Sequence, residues 1–370
     1  MDGRVRIFRA RRVITMAREE PEAFAVLGEH IVATGSTEDL ARRFPEAERV
    51  NFGDGVVVPG FNDAHIHPSI AAEDLLHVDV SPSAVRSLAE LKARLARQAA
   101  ETPPGEWIRA SQYDDAKMAE GRTMTRWDLD EVTREHPVLV VHVAGHWGVI
   151  NTKALELGGL DDASEPPSGG DYGRDGAGRL NGVLYERALF DFAYPSVASR
   201  PTIVPPSSLD DRLRGLQRAL EMFHAAGLTS LGDALVGPPD VVLYQEAERR
   251  GLLTARVNML VTYDHFDAVR RLGLRSGFGS HRLRFGGVKA FVDGAIGGRT
   301  CLLERPFEGT DYRGIQTTPT AELADLVRTV HEAGSRLAVH ANGDRAISLL
   351  LDQVEAAEAA CPRPDAHHRI

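Results

Sequence analysis

The sequence predicts an α/β protein: a (β/α)8 TIM-type barrel of which about five to six strands are present, preceded by a small N-terminal β-sandwich module. Three observations predict it. From about residue 207 onward, strand-like and helical segments alternate at the spacing of a parallel sheet. The first 58 residues are instead short β-type runs. Between the two lies VVVPGFNDAHIHP, residues 56–68, where a β-branched run meets a Pro-Gly stop and then two closely spaced histidines. The expected division is residues 1–58 for the sandwich part and 59–370 for the barrel part, with a long insertion at 69–215.

Composition narrows the function classes. The chain has 370 residues, 43% hydrophobic and 26% charged, which suits one large α/β domain plus a small one. A formal net charge of -10 argues against sequence-independent nucleic-acid binding, which needs a basic surface. Two cysteines, Cys301 and Cys361, suggest neither a disulfide framework nor a cysteine metal cluster. The N-terminus lacks a long apolar core and a small-residue cleavage pattern, and no run reaches membrane-spanning length. The expectation is a cytoplasmic protein without a nucleic-acid or membrane partner.

Taken in order, RVRIFRARRVITM and EAFAVLGEHIVATG read as strands, the second turning at Gly28-Glu29-His30, with a short helix at Thr37–Arg43. Val56–Val58 reads as the first barrel strand. In an extended chain residues i and i+2 face the same way, so Asp63, His65 and His67 share a side, and two imidazoles at a strand end can share a divalent metal. Within the insertion, leucines at helical spacing predict a helix over Ser83–Ala100, followed by strands over Glu106–Tyr113 and Pro137–His142. Residues 161–182, rich in Gly, Pro and Asp, read as loop. Then come a helix over Leu209–Ala226, strand 228–235, helix Val241–Arg250, strand 255–263, helix Phe266–Leu272, strand 283–294, helix Thr320–Ala333, strand 335–344 and helix Arg345–Ala359. Counting from Val56, Lys289 falls on strand 4 and His340 at the end of strand 5.

PGFNDAHIH resembles the PGFxDxHxH signature of the amidohydrolase superfamily, and the downstream segments resemble its family 3 branch, which includes N-substituted formamide deformylases. That resemblance extends over essentially the whole chain. It implies a divalent metal site of one or two ions, with zinc the first choice and manganese, iron and nickel open. The ligands implied are His65, His67, His340 and Lys289, the lysine bridging metals as a CO2-derived carbamate. A buried ammonium needs a partner or a modification, and arginine cannot serve because it keeps its proton. Only Lys92, Lys117, Lys153 and Lys289 break the preference of this chain for arginine. The alternative for Lys289 is an amine facing solvent beyond the sheet end. For His340 it is a packed core histidine.

VAGHWGVINTKAL, residues 143–155, is similar to a family segment that contributes to the substrate pocket, which implies pocket roles for His146 and Asn151; the alternative for His146 is a helix cap. NGVLYERA resembles the family's GxLxE stretch and makes Glu186 a second pocket candidate, against a solvated helix glutamate. DGAIGGRT, residues 293–300, lacks the lysine of a phosphate loop and reads as a loop closing over substrate, with Asp293 shaping the site. Asp344 reads as a helix N-cap.

The activity implied is metal-assisted hydrolysis of a carbon–nitrogen bond, other than a peptide bond, in a small amide, formamide or cyclic amide. The family places a further histidine ligand on strand 6 and a general-base aspartate after strand 8. Both are expected beyond Ile370, so no catalytic base is assigned within the chain, and a truncated product is expected. The rival readings are an inactive remnant that at most binds metal, and a short protein completing its site with another chain. A small-molecule substrate is the expected partner; a homo-oligomer is left open.

Overall fold

The computed structural model describes residues 3–198 and 200–370. The chain divides into two compact units, residues 1–61 and 62–370. In the first, β1 (Val5–Arg9), β3 (Ala23–Leu27), β4 (His30–Gly35) and β5 (Glu48–Asn51) form a sheet of order β4-β3-β1-β5. The β3–β4 hairpin turns at Gly28, whose φ of 60° suits glycine. Helix α1 (Thr37–Arg43) starts on Ser36, whose side chain accepts from the Asp39 amide. The remaining pair, β2 (Arg12–Val13) and β6 (Val56–Val57), is parallel. Val56–Val58 is therefore not the first strand of the main sheet. Pro59-Gly60 ends β6, and the main sheet begins after that break with β7 (Phe61–Ile66), which carries the first histidine itself.

The main sheet of the second unit has five strands in the order β17-β16-β15-β14-β7. They are β7, β14 (Leu228–Val236), β15 (Arg256–Thr262), β16 (Leu283–Phe291) and β17 (Leu337–His340). The β14–β15, β15–β16 and β16–β17 pairs are parallel, as crossover helices require. The crossings are α7 (Leu209–Ala225), α8 (Pro238–Arg249), α9 (Phe266–Arg271), α10 (Thr320–Glu332) and α11 (Asp344–Ala360). Arg369 bridges Ala338 in parallel beyond β17. The sheet is a curled half-barrel whose core runs through Leu216, Leu220, Leu243, Val257, Val288, Leu326 and Leu337. No helix among the described residues is long and apolar enough to cross a membrane.

The segment between β7 and α7 opens with α2 (Pro68–Asp74) and then builds a second sheet, β12-β13-β11-β10-β9-β8. Its strands are β8 (Val78–Asp79), β9 (Ile108–Tyr113), β10 (Val138–His142), β11 (Trp147–Ile150), β12 (Gly170–Arg174) and β13 (Leu180–Glu186). Helix α3 runs Leu88–Glu101 rather than from Ser83, because Ser87 caps it by accepting from the Glu90 amide. Helices α4 (Arg126–Asp130), α5 (Thr152–Leu157) and α6 (Arg187–Ala193) complete the segment.

Residues 161–182 are not all loop: β12 and the start of β13 pair antiparallel, with Gly170 opposite Glu186 and Tyr172 opposite Leu184. Glycine here reflects crowding. A Cβ on Gly173 would lie 2.4 Å from Asn181 Oδ1, and one on Gly170 2.4 Å from the Ala188 nitrogen.

Helix α7 shows the cost of such crowding most simply. Ser208 caps it, and Leu213, Leu216, Leu220 and Phe223 bury one face at helical spacing. Gly215 lies on that face against α2, and a Cβ there would stand 2.1 Å from the Ala72 carbonyl oxygen. Alanine in a helix interior is normally worth about 1 kcal/mol over glycine. Here the backbone clash reverses the sign, and Gly215→Ala should lower stability by about 1–3 kcal/mol in urea unfolding.

Candidate metal centre and adjoining pocket

The histidines of β7 sit where that strand ends and α2 begins. His65 is the fifth strand residue, and His67 is the N-cap residue of α2, followed by Pro68 at the first helical position. Their ring centroids are 5.5 Å apart, edge to face. The Asp63 carboxylate turns back to accept from the His65 amide at 3.1 Å. Strand β14 approaches β7 closely because residue 232 is glycine; a Cβ there would stand 2.4 Å from the Ala64 carbonyl oxygen.

Lys289, on β16, pairs with Thr262 of β15 and Ala338 of β17 and is 3% exposed. No salt bridge to it occurs among the described residues, and its ammonium lies 4.6 Å from the Phe291 ring centroid. Burial, with the Arg369 charge adding to it, lowers its pKa to about 7. His340 ends β17 opposite Phe291. Its Nε2 donates to the Gly294 carbonyl at 3.0 Å, which leaves Nδ1 as the lone-pair nitrogen.

The electrostatics show that these groups feel one another. His67 is held down to about pKa 3 by burial first, then by Lys289, His65, His146 and His340. His340 is held to about 3 by burial, with His146, Lys289 and His65 contributing. Burial, then Lys289 and Arg369, also lowers His65. Neutral imidazoles are the form that can donate to a metal.

The residues present fit a divalent cation in three respects. His67 Nδ1 is buried without a hydrogen bond. The Gly294 carbonyl fixes the tautomer of His340, as outer-shell partners of metal-binding histidines do. Lys289 is a buried amine that no acid among the described residues pairs with.

Two other clusters already bring three His or acid ligand atoms within 4.8 Å of one another: Asp114–Asp115–His142 and His331–Glu358–His368. Hydrogen bonding disqualifies the histidines of both. His142 Nδ1 accepts from the Ala144 amide, so Nε2 carries the proton, 3.6 Å from Asp115. His368 Nδ1 accepts from the Leu337 amide, its Nε2 donates to His331 Nδ1 at 2.8 Å, and His331 Nε2 donates to the Cys361 carbonyl at 2.6 Å. Every ring nitrogen of that chain is used.

Of the residues expected in the pocket, His146 and Glu186 are brought together and Asn151 is not. His146 Nδ1 lies 2.8 Å from Glu186 Oε2, and the His146 ring centroid is 4.9 Å from that of His340. Glu186 is not a solvated helix residue: it is fully buried at the end of β13. Asn151 caps α5, accepting from the Ala154 and Val138 amides and donating to the Thr133 and His136 carbonyls. Its amide group is fully occupied by backbone, which corrects the substrate role expected of it.

Asp293 is likewise taken up by backbone. It accepts from the amides of Leu302, Asn342 and Gly343 at 2.7–2.9 Å, pinning the loop after β16 to the one after β17. Burial raises its pKa. Asp344 is the first helical residue rather than the cap, which is Gly343, and its carboxylate accepts from the Glu304 amide.

Sequence reasoning missed Asp233 and Thr300. Asp233, in β14, is fully buried, accepts from Ser69 Oγ at 2.8 Å and Tyr244 OH at 2.5 Å, and lies 3.9 Å from His67 Nδ1. Burial, then Asp240, raises its pKa to about 7. An aspartate inside the apolar run LTSLGDALV was the available signal. Thr300 donates to Glu186 Oε1 at 2.5 Å.

Lys289 gives a stability prediction with a definite sign. Its folded pKa is below the unfolded one, so between about pH 7 and 10.5 the unfolded state binds the extra proton and stability rises with pH. In metal-free, bicarbonate-free protein, Lys289→Met should therefore stabilise by about 1–4 kcal/mol at neutral pH. That gain should shrink as the pH approaches 10, which denaturant titrations across the range would read.

Comparison with known proteins agrees with this architecture. A model of the amidohydrolase family matches residues 48–370, and one of an imidazolonepropionase-like composite domain of bacteria matches residues 23–47. The N-substituted formamide deformylase of Arthrobacter pascens is 31% identical over 351 residues, covering 90% of this chain and 62% of that protein. YtcJ of Bacillus subtilis (strain 168), whose name carries the word amidohydrolase, is 29% identical over 352 residues, covering 93% and 64%. The chain thus spans a little under two thirds of the length of these relatives. An uncharacterized metal-dependent hydrolase from Pyrococcus furiosus shares the fold with a TM-score of 0.67 at 24% identity, over 96% of this chain and 70% of that one. Its counterpart from Pyrococcus horikoshii OT3 does so with a TM-score of 0.68 at 23% identity, over 95% and 68%. The chain belongs to the amidohydrolase family.

Proposed function

We propose that this chain carries the metal-binding part of a hydrolase that cleaves a carbon–nitrogen bond, other than a peptide bond, in a small amide, formamide or cyclic amide. The observation that carries this reading is Lys289, a buried amine without an acid partner among the described residues, on the strand between His340 and the β14–β7 edge. Family membership and the name of the Arthrobacter relative support the bond class.

His65, His67, His340 and Lys289 would hold one or two divalent ions, with zinc favoured by imidazole nitrogen and carbamate oxygen donors. When bound, the metal supplies a Lewis acid for the amide carbonyl and lowers the pKa of water to about 7. The protein residues do the rest of the positioning. Lys289, with its pKa lowered to about 7, has a substantial neutral fraction at neutral pH, and the neutral amine is the form that adds CO2. Asp233 stands behind His67, and the Gly294 carbonyl behind His340, each limiting how its ring can turn. Phe190 and Phe291, beside His146, give the pocket an apolar wall. His146 remains the candidate for contact with substrate, with Glu186 behind it.

The test is direct. Protein stripped of metal and reloaded with zinc should release amine from at least one member of a panel of formamides, linear amides and cyclic amides. His67→Ala and Lys289→Ala should each lose bound metal by elemental analysis and lower turnover by about 100-fold or more. Labelled bicarbonate should give a carbamate carbon-13 resonance in wild type that Lys289→Ala lacks. Stoichiometric metal binding with no amine released from any panel member would instead favour a chain that binds metal without turnover.

A further inference from the structure

Glu186 is held from several sides at once. Its backbone adopts φ 50° and ψ -122°, a region that L residues rarely enter, where β13 passes into α6. Its carboxylate is fully buried. Its amide donates to the His146 carbonyl at 2.8 Å, and its Oε2 lies 2.8 Å from His146 Nδ1, so one residue grips the other by both main chain and side chain. The other oxygen, Oε1, accepts from Thr300 Oγ1 at 2.5 Å. Thr300 is held in turn by the Ala295 amide, which donates to its hydroxyl at 2.8 Å. Gly294 lets that loop lie flush against the carboxylate; a Cβ there would stand 2.1 Å from Glu186 Oε1 and 2.2 Å from Thr300 Oγ1.

A carboxylate can only accept hydrogen bonds. With Oε1 taken by the Thr300 hydroxyl, Oε2 requires a proton on His146 Nδ1. The neutral ring then bears its lone pair on Nε2, at the edge turned away from Glu186, and this ring lies beside His340. Such an arrangement uses strained backbone, a buried carboxylate and a glycine-dependent loop contact to set one tautomer. Simple packing of a histidine against Phe190 and Phe291 would need none of them.

We propose that Thr300 and Glu186 together hold His146 as the Nδ1–H tautomer, so that its Nε2 is the acceptor for an N–H or O–H carried by the bound amide. This rests on the reading of the strand ends as the amide site. Glu186 and Thr300 are positioning residues. The ligand class is an amide that keeps a hydrogen on nitrogen, or one bearing a hydroxyl at the same place.

The experiment is side-chain nitrogen NMR of protein labelled with nitrogen-15 histidine, metal-free and zinc-loaded, with His146 identified by the signal lost in His146→Gln. Wild type should show His146 protonated at Nδ1 and bare at Nε2. Glu186→Gln keeps one acceptor oxygen for the Thr300 hydroxyl and turns its NH2 toward His146 Nδ1, so it should move the ring to the Nε2–H form, and Glu186→Leu should release it the same way. If the leucine variant does not fold, wild type and the glutamine variant decide. Saturating N-methylformamide should shift the Nε2 resonance, whereas N,N-dimethylformamide, which lacks the N–H, should not. A proton on Nε2 in wild type would overturn the lock. Equal responses to the two probes, or none to either, would overturn the acceptor role. A selective response without any amide hydrolysis would leave this inference standing and count against the hydrolase reading alone.

Discussion

A positive charge cannot be buried cheaply without a counter-charge, and Lys289 has none among the described residues. Its neighbours on the sheet are Thr262 and Ala338, and an aromatic face is its nearest compensation. The consequences spread to the surrounding rings: His67, His340 and His65 are all pushed toward the neutral state by burial and by this same amine. On the proposed reading these are two sides of one arrangement, because neutral imidazoles and an amine able to become an anionic carbamate are what a divalent cation requires. Without the cation the same residues are a cost to the fold, a common feature of sites selected for function over stability.

Around that centre, the loops are tied to one another through buried acids. Asp293 gathers three backbone amides and so fixes the turn after β17, which places His340. Asp233 links β14 to Ser69 at the start of α2, behind His67. Glu186 ties the second sheet to the glycine-rich loop after β16 through Thr300. Asp233 lies within β14, Glu186 at the end of β13 and Asp293 just beyond β16, so the geometry at the mouth of the half-barrel is set by contacts between separate elements.

Much of this was legible in the sequence. The parallel sheet announced itself through alternating apolar runs and capped helices, and the positions of Lys289 and His340 at the ends of successive strands follow from counting. The count succeeded with a misplaced first strand, because β6 and β7 are separated only by Val58-Pro59-Gly60 and both are short and apolar-led. What failed did so for physical reasons. Glycines at 169–178 look like loop when counted, yet at Gly169, Gly170 and Gly173 a Cβ would collide with its neighbour. Asn151 reads as a pocket residue because it falls in the segment that resembles the family's pocket stretch, while its four hydrogen bonds to backbone are visible only in three dimensions. Asp233 and Thr300 acquire their roles from partners more than a hundred residues away, which no local pattern encodes.

The most direct test of the central claim is where a metal goes. Crystals of the protein reconstituted with zinc, measured on both sides of the zinc absorption edge, would locate the ion by anomalous scattering without any assumption about activity. The account predicts a strong peak among His65, His67, Lys289 and His340, with density for a carboxylated amine on Lys289. A peak confined to Asp114–Asp115–His142 or to His331–His368, with none at the strand ends, would contradict it.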